Sequence, residues 1–249
     1  MIDWLRRDPA IGRSRRAHEP ATIEVAGREL PIAITRHRTA RRLTLRLAAD
    51  GQAVRITLPH WCSAAEAVAF ARARRGWLEQ QLAKVPQARD PVAERELSWR
   101  GTRLAIDWRP GAPRRPLVDG TALVVGGAET GLHRRLQRWL EDEALRLFAA
   151  DAADYCHRAG LPPAEVRLTR AKRRWGSCSS ERVLRLNWRL VQAPDAVRRS
   201  VVAHEVAHLV HFDHSPAFHD LLDRLFEGEI AEANAWLSRH GRELYAAFG

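Results

Sequence analysis

Two histidines four residues apart constrain this chain of 249 residues more than any other feature. They belong to the segment His204-Glu205-Val206-Ala207-His208, which follows Pro194-Asp195, a dipeptide typical of a helix start. In a helix, residues i and i+4 lie on one face about 6 Å apart, so both imidazoles can reach one zinc ion. Glu205 lies beside the first ligand, where its carboxylate can meet a metal-bound water as a general base. The segment therefore predicts a helical zinc site.

The competing interpretation is a pair of histidines packed in the core without a ligand. Valines on one side of the predicted helix give it a buried face, at positions Val197, Val201, Val202 and Val206. Burying two histidines and a glutamate beside that face is costly unless something satisfies them. This cost favours the metal site.

Two later histidines, His211 and His214, are candidates for the third protein ligand that zinc hydrolases use. His211 could stay on the same helical face, but three ligands in a row along one helix suit a tetrahedral ion poorly. Ser215-Pro216 is typical of the start of a new helix, which puts His214 in the turn between two helices. We therefore predict a ligand set of His204, His208 and His214, with His211 beside it or on the surface.

The spacing of these three histidines equals that of the metzincins, yet the chain departs from that pattern. Metzincins have a glycine where His211 stands and a methionine turn below the metal, whereas the only methionine here is Met1. This difference excludes an ordinary metzincin. Cys178 leaves a second alternative open, because a thiolate as fourth ligand would make the site structural instead of catalytic.

Charge and cysteine content bound the class of protein. The 41 basic and 30 acidic residues give a net charge of +11, and since only Lys84 and Lys172 are lysines, almost all of the positive charge is arginine. We interpret it mainly as a solvated surface that leaves nucleic acid as a weakly supported partner. Three widely spaced cysteines suit a reducing compartment. No apolar stretch long enough to span a bilayer is present, so we expect a cytoplasmic protein without membrane contact.

The pattern of hydrophobic residues predicts an α+β protein. Residues 1–20 are expected to form a flexible arm, and residues 21–128 a β-rich N-terminal domain of four hairpin-like pairs with one helix that Ser63 caps. After the break at Gly126-Gly127, Thr130 is expected to cap a long amphipathic helix. Residues 129–249 are then expected to form a zincin-like helical catalytic domain with a small sheet.

Several motifs in the C-terminal half resemble one known family. They are a segment Arg174-Trp-Gly-Ser-Cys-Ser179, a strand that ends in Asn187-Trp-Arg-Leu190, the helical motif at 204–208, and His214-Ser-Pro-Ala-Phe218. Together with the β-rich N-terminal half, they resemble the YgjP-like metal-dependent hydrolases, relatives of the SprT-like and WLM zincins. The chain departs from that family at His219, where a large aromatic residue is expected.

The resemblance implies a zincin catalytic domain with one zinc ion per chain, in which the segment at 174–178 edges the active-site cleft. It makes cleft candidates of five residues: Arg174, Trp175, Gly176, Ser177 and Asn187. An exposed strand edge there could pair with an extended peptide. The zinc-activated water, with Glu205 as general base, then makes a metallopeptidase acting on a peptide or protein the leading hypothesis.

Three alternatives stay open at this point. The same zinc chemistry could act on a non-peptide substrate such as a nucleotide phosphate. The protein could be a DNA-associated protease like its SprT-like relatives, or a binding module with a structural zinc that Cys178 completes. The donor for the developing oxyanion is not identified, with four basic residues as candidates by sequence proximity: Arg170, Lys172, Arg173 and Arg174.

Overall fold

The computed structural model describes residues 21–48 and 51–248. Within them the chain forms two compact units, residues 21–87 and residues 88–248. The predicted arm at 1–20 lies outside the described residues.

The first unit is a four-stranded sheet with two helices. Its strands are β1 (Thr22–Val25), β2 (Arg28–Arg36), β3 (Thr44–Leu47) and β4 (Val54–Leu58), in the order β1-β2-β4-β3. The two predicted antiparallel pairs, β1 with β2 and β3 with β4, are confirmed, and a parallel pairing of β2 with β4 joins them. Ala26 and Gly27 both have positive φ, the conformation that a two-residue hairpin turn requires.

The helical part of this unit differs from the single helix predicted. The structure has α1 (Ala64–Ala73) and α2 (Arg75–Ala83), with a break at Arg74. The predicted cap is present, since Ser63 and Glu66 exchange hydrogen bonds as a capping box. Both helices bury apolar residues against the sheet, in a core that includes Val25, Ile56 and Leu78. Each helix buries its own apolar residues on its side of the break, and local sequence patterns do not encode such packing.

The second unit begins with another four-stranded sheet. Its strands are β5 (Glu96–Trp99), β6 (Thr102–Trp108), β7 (Leu117–Asp119) and β8 (Ala122–Val125), in the order β5-β6-β8-β7. The long helix α3 (Leu132–Arg158) follows and shares one core with this sheet, where Ile106 and Leu123 belong to the same cluster as Leu136. The boundary predicted at residue 128 therefore falls inside this unit, and the predicted domain limits stay a prediction.

The predicted N-terminal cap of α3 is wrong. Thr130 does not cap the helix, because a 3₁₀ turn, Glu129–Gly131, precedes it and Gly131 occupies the capping position without a side-chain bond. The turn is continuous with α3, so no polar side chain is placed to accept from its first amides.

A three-stranded sheet and three helices complete the unit. The strands are β9 (Glu165–Thr169), β10 (Gly176–Cys178) and β11 (Val183–Asn187), in the order β10-β11-β9. The helices are α4 (Asp195–Ala207), α5 (Pro216–Leu225) and α6 (Ile230–His240). α4 packs against α3, α5, α6 and β10, so it lies at the centre of the unit.

The α+β class predicted from the sequence is confirmed, with 40% of the residues helical and 23% in strands. Among the helices of the described chain, none is long and apolar enough to cross a membrane.

Candidate metal centre

The centre is built on the last turn of α4. This helix buries its valine face in the core and carries His204 and Glu205 in its final turn, with His208 as its C-terminal cap. The rings of His204 and His208 lie 4.8 Å apart, centroid to centroid, as expected for positions i and i+4.

His214 joins this pair from the loop between α4 and α5. Its Nε2 lies 3.3 Å from Nε2 of His204, and one ligand atom from each of the three histidines lies within 4.8 Å of the others. Two nitrogens that each lie about 2.0–2.1 Å from a tetrahedral ion are roughly 3.3 Å apart. The His204–His214 separation therefore suits a shared metal ion.

His211 contributes its backbone to the centre. The chain leaves the helix after Ala207, so His211 does not continue the row of His204 and His208. Its carbonyl oxygen lies 2.9 Å from Nδ1 of His208. A carbonyl only accepts, so Nδ1 carries the proton and Nε2 keeps its lone pair for a metal. Such a contact orients a ligating histidine and fixes its tautomer.

Phe218 forms a floor beneath the three histidines. Its ring, which is fully buried in α5, lies 4.9 Å from His204, 4.6 Å from His208 and 4.8 Å from His214, centroid to centroid. One rigid aromatic ring thus restricts the orientations of all three imidazoles. Sequence reasoning assigned Phe218 no role, although its place four residues after His214 was a signal.

Glu205 is a buried carboxyl group without a partner among the described residues. It is 0% exposed, and neither of its oxygens accepts a hydrogen bond. Burial raises its pKa to about 8, with the Arg174 guanidinium partly opposing the rise. An orphaned carboxyl beside three clustered histidines fits a centre whose remaining members are a metal ion and water.

His204 is suited to bind a metal because it resists protonation. Burial, together with the neighbouring His208, His214 and His219, lowers its pKa to about 3. The imidazole is therefore neutral at physiological pH, the form in which histidine binds metals.

Strand β10 passes directly beside Glu205. A Cβ added to Gly176 would collide with the Glu205 carboxylate and approach its Cγ to 2.6 Å, so only glycine allows this packing. Cys178, two residues on, has its thiol pKa raised to about 11 by burial and by Glu205. Its Sγ lies 3.5 Å from the carbonyl of Ser179, and the metal-ligand group found among the described residues contains no cysteine. The described residues thus bring the three histidines together without Cys178, and whether Cys178 approaches a metal stays a prediction.

The other cleft candidates lie around this strand in different roles. Trp175 is half-buried and packs on Tyr245, with ring centroids 5.6 Å apart. Ser177 is half-buried opposite Arg185 on β11. Asn187 is fully buried and donates to the carbonyl of Ala171 and the hydroxyl of Tyr245, which ties the segment before β10 in place. The part these residues play in substrate binding stays a prediction.

The basic residues before β10 differ in their exposure and in their partners. Arg170 is committed to Glu141, with nitrogen and oxygen 2.6 Å apart. Arg174 is exposed, and its charge lowers the pKa of Glu205 against the effect of burial. His219 lies on α5 with its ring 6.3 Å from that of His214, nearer to the centre than a plain surface residue.

A buried helix with two histidines and a glutamate, a third histidine from the next loop and an adjacent edge strand define a metal-dependent hydrolase. The family comparison places the chain within that class. Residues 41–240 match the model of the YgjP-like metallopeptidase domain, and the chain belongs to this family, as the sequence motifs predicted. Comparisons with curated proteins and with solved structures give no match.

Proposed function

We propose that this protein is a zinc metallopeptidase that holds one zinc ion per chain through His204, His208 and His214. The observation that carries the proposal is the three-histidine group beside an unpartnered, fully buried Glu205. Three imidazole nitrogens that leave a fourth position open are typical of catalytic zinc. When bound, zinc polarises the scissile carbonyl and lowers the pKa of water towards neutrality.

Glu205 acts as the general base in this proposal. Its oxygens accept no hydrogen bond from the described residues, so they are available to the proton of a water molecule, and the positive charge of a bound zinc ion would favour the charged form that a base requires. It takes the proton of the attacking water and delivers it to the leaving nitrogen of the peptide. Gly176 supports this role, because the absence of a side chain there leaves the carboxyl group room beside β10.

The substrate is proposed to be an extended peptide that pairs with β10. This strand bonds to β11 on one side only, so its other edge has backbone groups available in the described sheet. An edge strand beside a catalytic carboxyl group suits β-augmentation, in which backbone bonds hold the chain and align one peptide bond with the centre. We propose a cytoplasmic location on the cysteine usage, since Cys62, Cys156 and Cys178 are all free thiols.

Arg174 is proposed as the donor that stabilises the developing oxyanion. Its charge acts on Glu205, so its guanidinium lies within electrostatic reach of the carboxyl group that the centre contains. The experiment compares Arg174→Ala with Arg173→Ala. We expect a loss of about 10²-fold or more in kcat for Arg174→Ala alone. A kcat of Arg174→Ala equal to that of the parent protein would show that Arg174 has no such role.

The overall proposal is tested with zinc-loaded and chelator-stripped protein on two substrate panels. One contains internally quenched peptides and the other nucleotide phosphoanhydrides. We expect zinc-dependent peptide cleavage that Glu205→Gln abolishes while the variant still holds one zinc per chain by elemental analysis. Turnover of phosphoanhydrides without peptide cleavage would contradict the peptidase and favour a zinc-dependent phosphohydrolase.

A further inference from the structure

The positive charge of the chain is concentrated in the first unit. Residues 21–87 contain eleven basic and five acidic residues, a net charge of +6. Residues 88–249 contain 25 basic and 22 acidic residues, a net charge of only +3 on a segment more than twice as long. A general preference for arginine would enrich both units, but it does not explain why acidic residues offset it in one alone.

The ion pairs follow the same division. In the second unit, many arginines are paired with acidic side chains, as in Arg198 with Asp151 and Arg199 with Asp154, both at 2.8 Å. In residues 21–48 and 51–87, the ion pairs that the structure describes both use Arg75. The remaining positive charge of the first unit is therefore available to a ligand.

Two of these arginines face each other on the open side of the sheet. Arg46 on β3 is the register partner of Arg55 on β4, and both side chains are exposed. On β2 the neighbour of Arg55 is Ala33, so no acidic residue separates the charges. Like charges directly opposite in a sheet are destabilising, and a polyanion laid across the face removes that cost.

The end of the same sheet adds three arginines and an aromatic ring. β2 and β4 end side by side at Arg36 and Leu58, so the loop at 37–43 and the turn at 59–62 lie at one edge. The loop carries exposed arginines at positions Arg38, Arg41 and Arg42. The turn carries Trp61, 67% exposed, while Arg36 donates to the carbonyls of His60 and Cys62 on either side of it. The ring is thus exposed on a turn that is held in place.

We propose that residues 21–87 bind single-stranded nucleic acid, with Trp61 stacking on a base and the surrounding arginines contacting phosphates. An exposed aromatic ring on a positively charged surface is the combination by which proteins bind single-stranded nucleic acids without sequence preference. The inference is independent of the reaction at the metal centre, because none of these residues belongs to it.

The test uses the full-length protein and a fluorescein-labelled oligothymidylate, with binding followed by anisotropy over a range of salt concentrations. Trp61→Ala removes the stacking ring, and we expect affinity to fall roughly tenfold or more. Arg41→Ala/Arg42→Ala removes two phosphate contacts, which should reduce the slope of log K against log salt by about 1.4.

Two matched controls distinguish this site from general attraction to a basic protein. Trp77→Ala removes another exposed tryptophan of the same unit, and Arg114→Ala/Arg115→Ala removes two exposed charges from the second unit. Both should bind like the parent protein, and duplex DNA should bind more weakly than the single strand. Equal losses in the test and control variants, or equal competition by heparin, would overturn the proposal.

Discussion

The two units differ in where their charged side chains lie. Every buried polar or charged side chain in the described residues belongs to the second unit, among them Glu205, Arg198 and Asp151. The first unit has an apolar core and keeps its charges at the surface. Since burying a charge is costly without a partner, each buried charge of the second unit needs a reason: Asp151 and Arg198 pair with each other, whereas Glu205 lies beside the three histidines.

An ion-pair network connects the buried charges to the site. Asp151 on α3 accepts from Arg198 at 2.8 Å and from Arg199 at 2.9 Å, and both arginines lie on α4 one to two turns before His204. Arg199 also pairs with Glu227, which follows α5, the helix of Phe218. The network thus holds together the helices that carry the ligands and their floor.

The largest effect is expected at Glu205. Glu205→Gln keeps the shape of the side chain and removes its capacity to accept a proton, so kcat should fall about 10²- to 10⁴-fold. Zinc content, measured by elemental analysis, should stay at one ion per chain. Substantial turnover by the zinc-loaded variant would contradict the assignment of Glu205 as general base and leave its burial without an explanation.

Asp151→Asn should produce the next largest change, in stability. The variant removes the buried partner of Arg198, which is 4% exposed in its side chain, and leaves it only the more exposed Asp195. Removing one member of a buried pair costs about 3–5 kcal/mol, and the remaining pair with Asp195 puts the expected cost at the lower end of this range. Urea unfolding of the metal-free protein measures this directly. A cost below about 1 kcal/mol would mean that the network does not hold α3 against α4.

How far the sequence predicted these features depends on how local they are. The helical histidine pair follows from a spacing of four residues, and the place of His214 follows from the turn and cap signals around it. The carbonyl of His211, the floor of Phe218 and the burial of Asn187 depend on how separate elements pack. A pattern of residues predicts a helix or a strand, but it does not predict which carbonyl accepts a hydrogen bond from which imidazole.

The cleft shows the same limit. The family resemblance predicts that the segment at 174–178 lies near the site. It does not explain why residue 176 is a glycine, which follows from the close packing of β10 on Glu205. Likewise, the net charge of the chain does not show where the charge is concentrated unless the boundary between the two units is known. Long-range packing decides both.

The pH dependence of the metal-free protein offers a third test. The Glu205 pKa is about 8 in the folded state and about 4.3 in the unfolded state, so stability falls as pH rises between these values. The lowered His204 pKa has the opposite sign and makes stability rise until about pH 6.5. Of these two effects, only that of Glu205 continues from pH 6.5 to 8, and over this range the free energy of unfolding should fall by about 2 kcal/mol. Glu205→Gln should remove it; an unchanged profile would contradict the raised pKa.

Phe218→Leu should weaken metal binding. A smaller, flexible side chain no longer restricts the three imidazoles, and loss of such support typically costs about 10- to 100-fold in affinity. Phe226→Leu is the matched control, because Phe226 is buried in the same core at the C-terminal end of α5. Competition with a chelating indicator measures both. Equal zinc affinities would reduce Phe218 to ordinary core packing.

The smallest effect on stability is expected for an exposed ion pair of the first unit, which serves as the comparison with the buried pair of the second unit. Glu79→Gln breaks the exposed i,i+4 pair with Arg75, whose nitrogen and oxygen lie 3.0 Å apart. Water already solvates both groups, so the free energy of unfolding should change by only about 0.3–0.5 kcal/mol, and less at high salt. If this variant costs as much as Asp151→Asn, the ion pairs of the two units are equivalent. The charges of the first unit would then contribute to its folding as strongly as those of the second, and their availability to a nucleic acid would lose its physical basis.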